Sequence, residues 1–72
     1  MGIVIHVHNT RTDNFASGVK VTLSDSVGRQ SADTNSSGDA LFPNAKPGNY
    51  TVFVNNKEAD KGAISGVKIV PM

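Results

Sequence analysis

Two histidines near the start are the residues best placed to do chemistry. His6 and His8 stand two apart in Ile3-Val4-Ile5-His6-Val7-His8, and side chains two apart on an extended strand point to the same side. That spacing would supply two nitrogens to a divalent metal, half of a site. A complete site takes at least one more ligand, and none is identifiable from the sequence, which contains no cysteine. Two imidazoles on an outward strand face are then ordinary solvated side chains, so no metal and no other cofactor is expected.

Other constellations have plainer readings. Asp33-Thr34-Asn35-Ser36-Ser37-Gly38 resembles the start of a calcium loop, but Asn44 stands where the bidentate Glu is needed. Backbone angles alone account for Asn, Ser and Gly there, so the segment reads as a turn. Asn35-Ser36-Ser37 and Asn49-Tyr50-Thr51 fit the glycan acceptor pattern, and without a secretory leader neither is expected to be used. No Ser/His/Asp grouping, no phosphate-cradling glycine loop and no carboxylate pair is apparent, so no catalytic residues are expected.

The elements that must position these residues alternate with period two. Ile3, Ile5 and Val7 alternate with Val4, His6 and His8; Val19, Val21 and Leu23 with Lys20, Thr22 and Ser24; Tyr50, Val52 and Val54 with Thr51, Phe53 and Asn55. Val67 and Ile69 against Lys68 and Val70 give a terminal strand that Pro71 closes. Arg29 to Asn35 and Asp39 to Phe42 are weaker, more polar strands. Turn residues separate the runs, Pro47-Gly48 reading as a type II turn. The polar stretch from Asn55 to Ala63 reads as a loop. Six or seven short strands and no helical period predict an all-β chain, a small antiparallel sandwich or barrel forming one domain over residues 1–72. The expected inward set takes the first-named residues of each strand together with Phe15, Ala40, Phe42 and Ala45.

Size and charge narrow the function classes. With 72 residues there is room for one domain, and a domain this small has a thin core. No disulfide can reinforce it, so packing, strand pairing or a neighbouring subunit must. The net charge is +1, from seven basic and six acidic residues scattered among one another, which argues against nucleic acid. No run approaches the ~20 apolar residues of a membrane span. The first residues lack a basic region and a cleavage site, which implies cytoplasmic synthesis, with export or assembly inside a larger particle still open. Val4, His6, Phe53 and Val70 fall on outward positions, and grouped exposed apolar side chains mark an association surface.

The run from Gly18 carries a family resemblance. Gly18-Val19-Lys20-Val21-Thr22-Leu23, then Asp25 and Gly28, then Thr34 with Gly38, Ala40 and Phe42, then Pro47-Gly48-Asn49-Tyr50-Thr51-Val52-Phe53-Val54 resemble the pattern of carboxypeptidase regulatory-like and Cna B-type domains, which are transthyretin-like. The resemblance covers residues 3 to 54. It implies a seven-stranded antiparallel β-sandwich, a prealbumin/Ig-like Greek key, serving as a spacer, stalk or attachment module. Two offshoots of that fold lack their residues here. An intramolecular isopeptide bond needs a Lys on the first strand and an Asn or Asp on the last, where this chain has His6, His8 and Lys68; Glu58, near the position of the family's acid, lacks both partners. Hydroxyisourate hydrolase is similar at His6-Val7-His8-Asn9, but its arginine falls at Asp39 and its closing Tyr-Arg-Gly-Ser is absent. The expectation is therefore a non-catalytic structural or protein-attachment module of a larger extracellular, phage or secretion assembly, with a protein partner or a homo-oligomer. The alternative is a carbohydrate- or ligand-binding module using Asn9 to Asn14 and Asn55 to Lys61; a reduced hydrolase ranks behind both.

Overall fold

A computed structural model describes residues 2–71 and is all-β. Its strands are β1 (Ile3–Asn9), β2 (Asn14–Phe15), β3 (Lys20–Ser24), β4 (Arg29–Asp33), β5 (Asp39–Phe42), β6 (Gly48–Val54), β7 (Lys57–Ile64) and β8 (Val67–Pro71). They form two four-stranded sheets. In the first, β1 is central. β8 runs parallel along one of its edges, from Val4↔Val67 to His8↔Pro71, while β5 and then β2 occupy the other, antiparallel. The second sheet has the order β4-β3-β6-β7, antiparallel throughout.

The sheets bury their facing sides against each other. Ile3, Ile5 and Val7 of β1 are fully buried, as are Val21 and Leu23 of β3 and Val52 of β6. Phe42 and Tyr50 close the same layer. Burial of each such side chain is worth ~1.5–3 kcal/mol. Two polar residues lock the layer at its margins. The Tyr50 hydroxyl donates to the Lys46 carbonyl at 2.6 Å, so the ring is buried with its polar tip satisfied. The Thr34 hydroxyl accepts from the Val19 amide at 2.9 Å and donates to the Ala16 carbonyl at 2.7 Å, while its own backbone bonds Gly18 and Val19. This buried threonine ties the segment entering β3 to the end of β4.

The fold is the expected small all-β sandwich, and details of it differ. Among the described residues eight strands form, where six or seven are expected, and the β1–β8 pair is parallel. Asn55 to Ala63 is no loop. Asn55 and Asn56 adopt φ of 52° and 68°, the two left-handed residues of a type I′ hairpin turn, and Lys57–Ile64 returns as β7 along β6. β7 escapes notice because it is an edge strand rich in charge, the usual protection of an exposed edge. The Pro47-Gly48 turn is also displaced. Gly48 already belongs to β6 and lacks the positive φ a type II turn needs. The hydrogen-bonded turn is Phe42-Pro43-Asn44-Ala45, closed by Ala45 N–H to the Phe42 carbonyl at 3.1 Å.

β8 sits in the opposite phase to the one its alternation suggests. Val70 is fully buried, whereas Val67 and Ile69 are 68% and 65% exposed. Register decides this: Val7↔Val70 places Val70 on the inner side, and His6↔Ile69 places Ile69 outside. Lys68 then takes the inner phase at the sheet margin, where its ammonium reaches Asp60 Oδ2 of β7 at 3.3 Å. Phe15, expected inside, is outside for the same reason, because it pairs with the outward His8.

Two substitutions test these features. Thr34→Val should lower unfolding stability by ~1–3 kcal/mol in urea titration, since it leaves the buried Val19 N–H and Ala16 C=O without a partner. Asn56→Gly should raise it by up to ~1 kcal/mol, because glycine lacks the Cβ that the left-handed angle crowds and Asn-Gly is the preferred type I′ pair.

Candidate functional site

β1 builds the candidate site as well as the core. Its odd residues face in, so Val4, His6 and His8 face out, and pairing fixes what lies beside each of them. Leu41 and Val67 flank Val4; Asp39 and Ile69 flank His6; Phe15 and Pro71 flank His8. The result is three rows across the outer face of the first sheet, apolar except for Asp39 and the two imidazoles. Phe15, Leu41, Val67 and Ile69 are each more than half exposed. No Lys or Arg occupies any of these register positions. The outer face of the second sheet differs in character: Thr22 pairs with Ser31, their hydroxyls bonded at 2.8 Å, and Ser24 with Thr51.

The polar residues on this face are tied to one another. His6 Nδ1 bonds Asp39 Oδ1 across the β1–β5 pair. His8 Nε2 meets Asp13 Oδ1 at 3.2 Å. The Phe15 ring lies edge-on to both imidazoles, at centroid distances of 4.4 Å from His6 and 6.3 Å from His8. The two histidines therefore share a face, as their spacing requires, but each is held by its own carboxylate. No group of three metal-ligating side chains forms among the described residues. A histidine oriented by a carboxylate is also the supporting half of a general base. Here the residues flanking it are Phe15 and Ile69, which offer neither a nucleophile nor a charge to a reacting group.

Glycine positions the aromatic. Gly38 has φ of +81°, and a Cβ there would come within 2.8 Å of Phe15 Cβ and 3.2 Å of the Val7 carbonyl oxygen. Asn35 shapes the turn before it, its side-chain oxygen accepting from the amides of Ser37 and Asp39 at 2.9 and 3.1 Å. The side chain that a calcium loop would turn toward the ion is thus spent on the backbone.

Of the four residues expected at an interface, Val4 and His6 are on this face. Phe53 lies on the opposite side of the sandwich, paired with Thr22 and covering it, and Val70 belongs to the core. Ile69 and Val67 are hidden from sequence reasoning because the alternation of β8 assigns them to the core, and Leu41, between the inward Ala40 and Phe42, is singled out by no motif. The two segments expected to bind a ligand do approach each other: Asn9, Thr10 and Arg11 share a cleft of about 620 Å³ with Asn55, Lys57 and Glu58. Among the described residues no helix is long and apolar enough to cross a membrane. Lys68 is committed to Asp60, and Glu58 is exposed on β7.

Gly38→Ala should destabilise the fold by ~1–3 kcal/mol in chemical denaturation, through left-handed strain and the steric clash at Phe15. It should also shift the ring resonances of His6 and Phe15 in NMR spectra, while Gly28→Ala, at a glycine with open space around it, should do neither.

Comparison with family models, curated proteins and solved structures gives no match to this chain, so the geometry of the face is what a functional reading rests on.

Proposed function

We propose that this protein is a non-catalytic structural or attachment module, a rigid sandwich that docks onto another protein surface through the outer face of its first sheet. The observation that carries the reading is the grouping of Phe15, Leu41, Val67 and Ile69, all exposed, around Val4 on one side of one sheet. Monomeric soluble proteins rarely leave contiguous apolar patches larger than a few hundred Å² uncovered, whereas scattered single apolar residues such as Val27 mean little. The resemblance to carboxypeptidase regulatory-like and Cna B-type domains points to the same role, as a spacer, decoration or docking domain of an extracellular, phage or secretion assembly.

A second reading is favoured by the cleft between the Asn9–Asn14 and Asn55–Lys61 segments. Asparagine amides, Thr10, Arg11 and Glu58 around an apolar floor of Val54, Ala59 and Pro71 suit a polyhydroxylated ligand such as a carbohydrate. No aromatic ring lines that cleft, and stacking on such rings is the usual source of sugar affinity, so this reading ranks second.

A polarity-sensitive dye separates the two. The docking reading expects the folded chain either to bind the dye or to be self-associated, and Ile69→Lys to abolish whichever holds while circular dichroism stays β. A glycan array or thermal-shift screen that finds saturable sugar binding lost in Arg11→Ala, with the face inert, would instead establish the second reading.

A further inference from the structure

We infer that the occupant of this face is a second copy of the same chain, packed face to face about a two-fold axis that runs along β1. The inference rests on the docking reading above and names its partner.

Area is the first argument. Phe15, Leu41, Val67 and Ile69, exposed by 58, 55, 68 and 65%, present roughly 500 Å² between them, so a face-to-face pair removes about 1,000 Å² from these side chains alone, the least that a specific interface needs. A domain with so thin a core has most to gain from such burial.

Charge is the second. The face holds no Lys or Arg, and its two carboxylates, Asp39 and Asp13, are already bonded to His6 and His8. A partner chosen by opposite charge would find only carboxylates already paired here, whereas a largely apolar face is complementary to itself, as an isologous interface requires. Asp39 lies on β5, at the margin of the sheet, and it keeps its bond to His6 when the face is covered.

The arrangement of rows selects the axis. Packed sheets keep their strands aligned within about 30°, which leaves two choices in the plane of contact. An axis perpendicular to the strands would stack Asp39 on the partner's Asp39, two like charges across a dry layer, at a cost no contact here offsets. An axis along β1 carries β8 of one copy over β5 and β2 of the other. Leu41 then meets the partner's Val67, and Phe15 meets the partner's Pro71. Asp39 stays apart from its counterpart, and Val4, His6 and His8 of the two copies line the axis.

The test uses the whole chain. Sedimentation equilibrium should give twice the 7.5 kDa chain mass, and Ile69→Lys or Val67→Lys should return it to a single chain with an unchanged β spectrum, since both sites point to solvent in the lone subunit. For the axis, a short bismaleimide should cross-link a mixture of Leu41→Cys and Val67→Cys chains but neither variant alone. A dimer that survives both lysine substitutions would overturn the proposal, as would cross-linking of either variant by itself. A wild-type chain that is monomeric at millimolar concentration yet binds the apolar dye through Ile69 would refute the dimer and leave the docking reading standing; one that neither associates nor binds dye would refute both.

Discussion

Everything in this molecule depends on β1 being flanked on both edges and used on both faces. β8 takes one edge, and β5 with β2 takes the other. Ile3, Ile5 and Val7 supply the centre of the core, and Val4, His6 and His8 supply the centre of the exposed face. A slip of one residue in this strand would exchange the two sets, burying both imidazoles and exposing three aliphatics. The pairings that prevent the slip are the same ones that assemble the candidate site, so fold and surface are fixed by one register.

The alternation of β1, β3 and β6 made the sandwich legible in the sequence, as did the turn chemistry of Asp25 to Gly28 and Asn35 to Gly38. What was not legible has a common cause. Alternation assigns a phase only where one face is apolar and the other polar. In β8 Val70 shares its phase with Lys68, so the two aliphatics Val67 and Ile69 make the other phase look inward, yet the register with β1 puts Val70 inside. Phe15 was misplaced similarly, since a two-residue strand has too short a pattern to show its phase. β7 failed for the opposite reason: its composition is that of a loop, and only the paired left-handed asparagines before it signal a hairpin.

The candidate face was half visible. Val4 and His6 could be placed outward by counting along their own strand, but their neighbours come from β2, β5 and β8, whose register no local pattern reveals. Asp39 illustrates the point. In the sequence it is 33 residues from His6 and looks like an ordinary turn carboxylate; in the sheet it is the residue opposite, and it fixes the imidazole.

The parallel pairing of β1 with β8 also has a mechanical meaning. Because the first and last described strands lie side by side and run the same way, the chain enters at one pole of the sandwich and leaves at the other. Tension applied through these ends is directed along the strands. It loads the bonds between β1 and β8 in shear, so that they must fail together instead of peeling one at a time. Resistance to such a pull is governed by the unfolding barrier rather than by equilibrium stability.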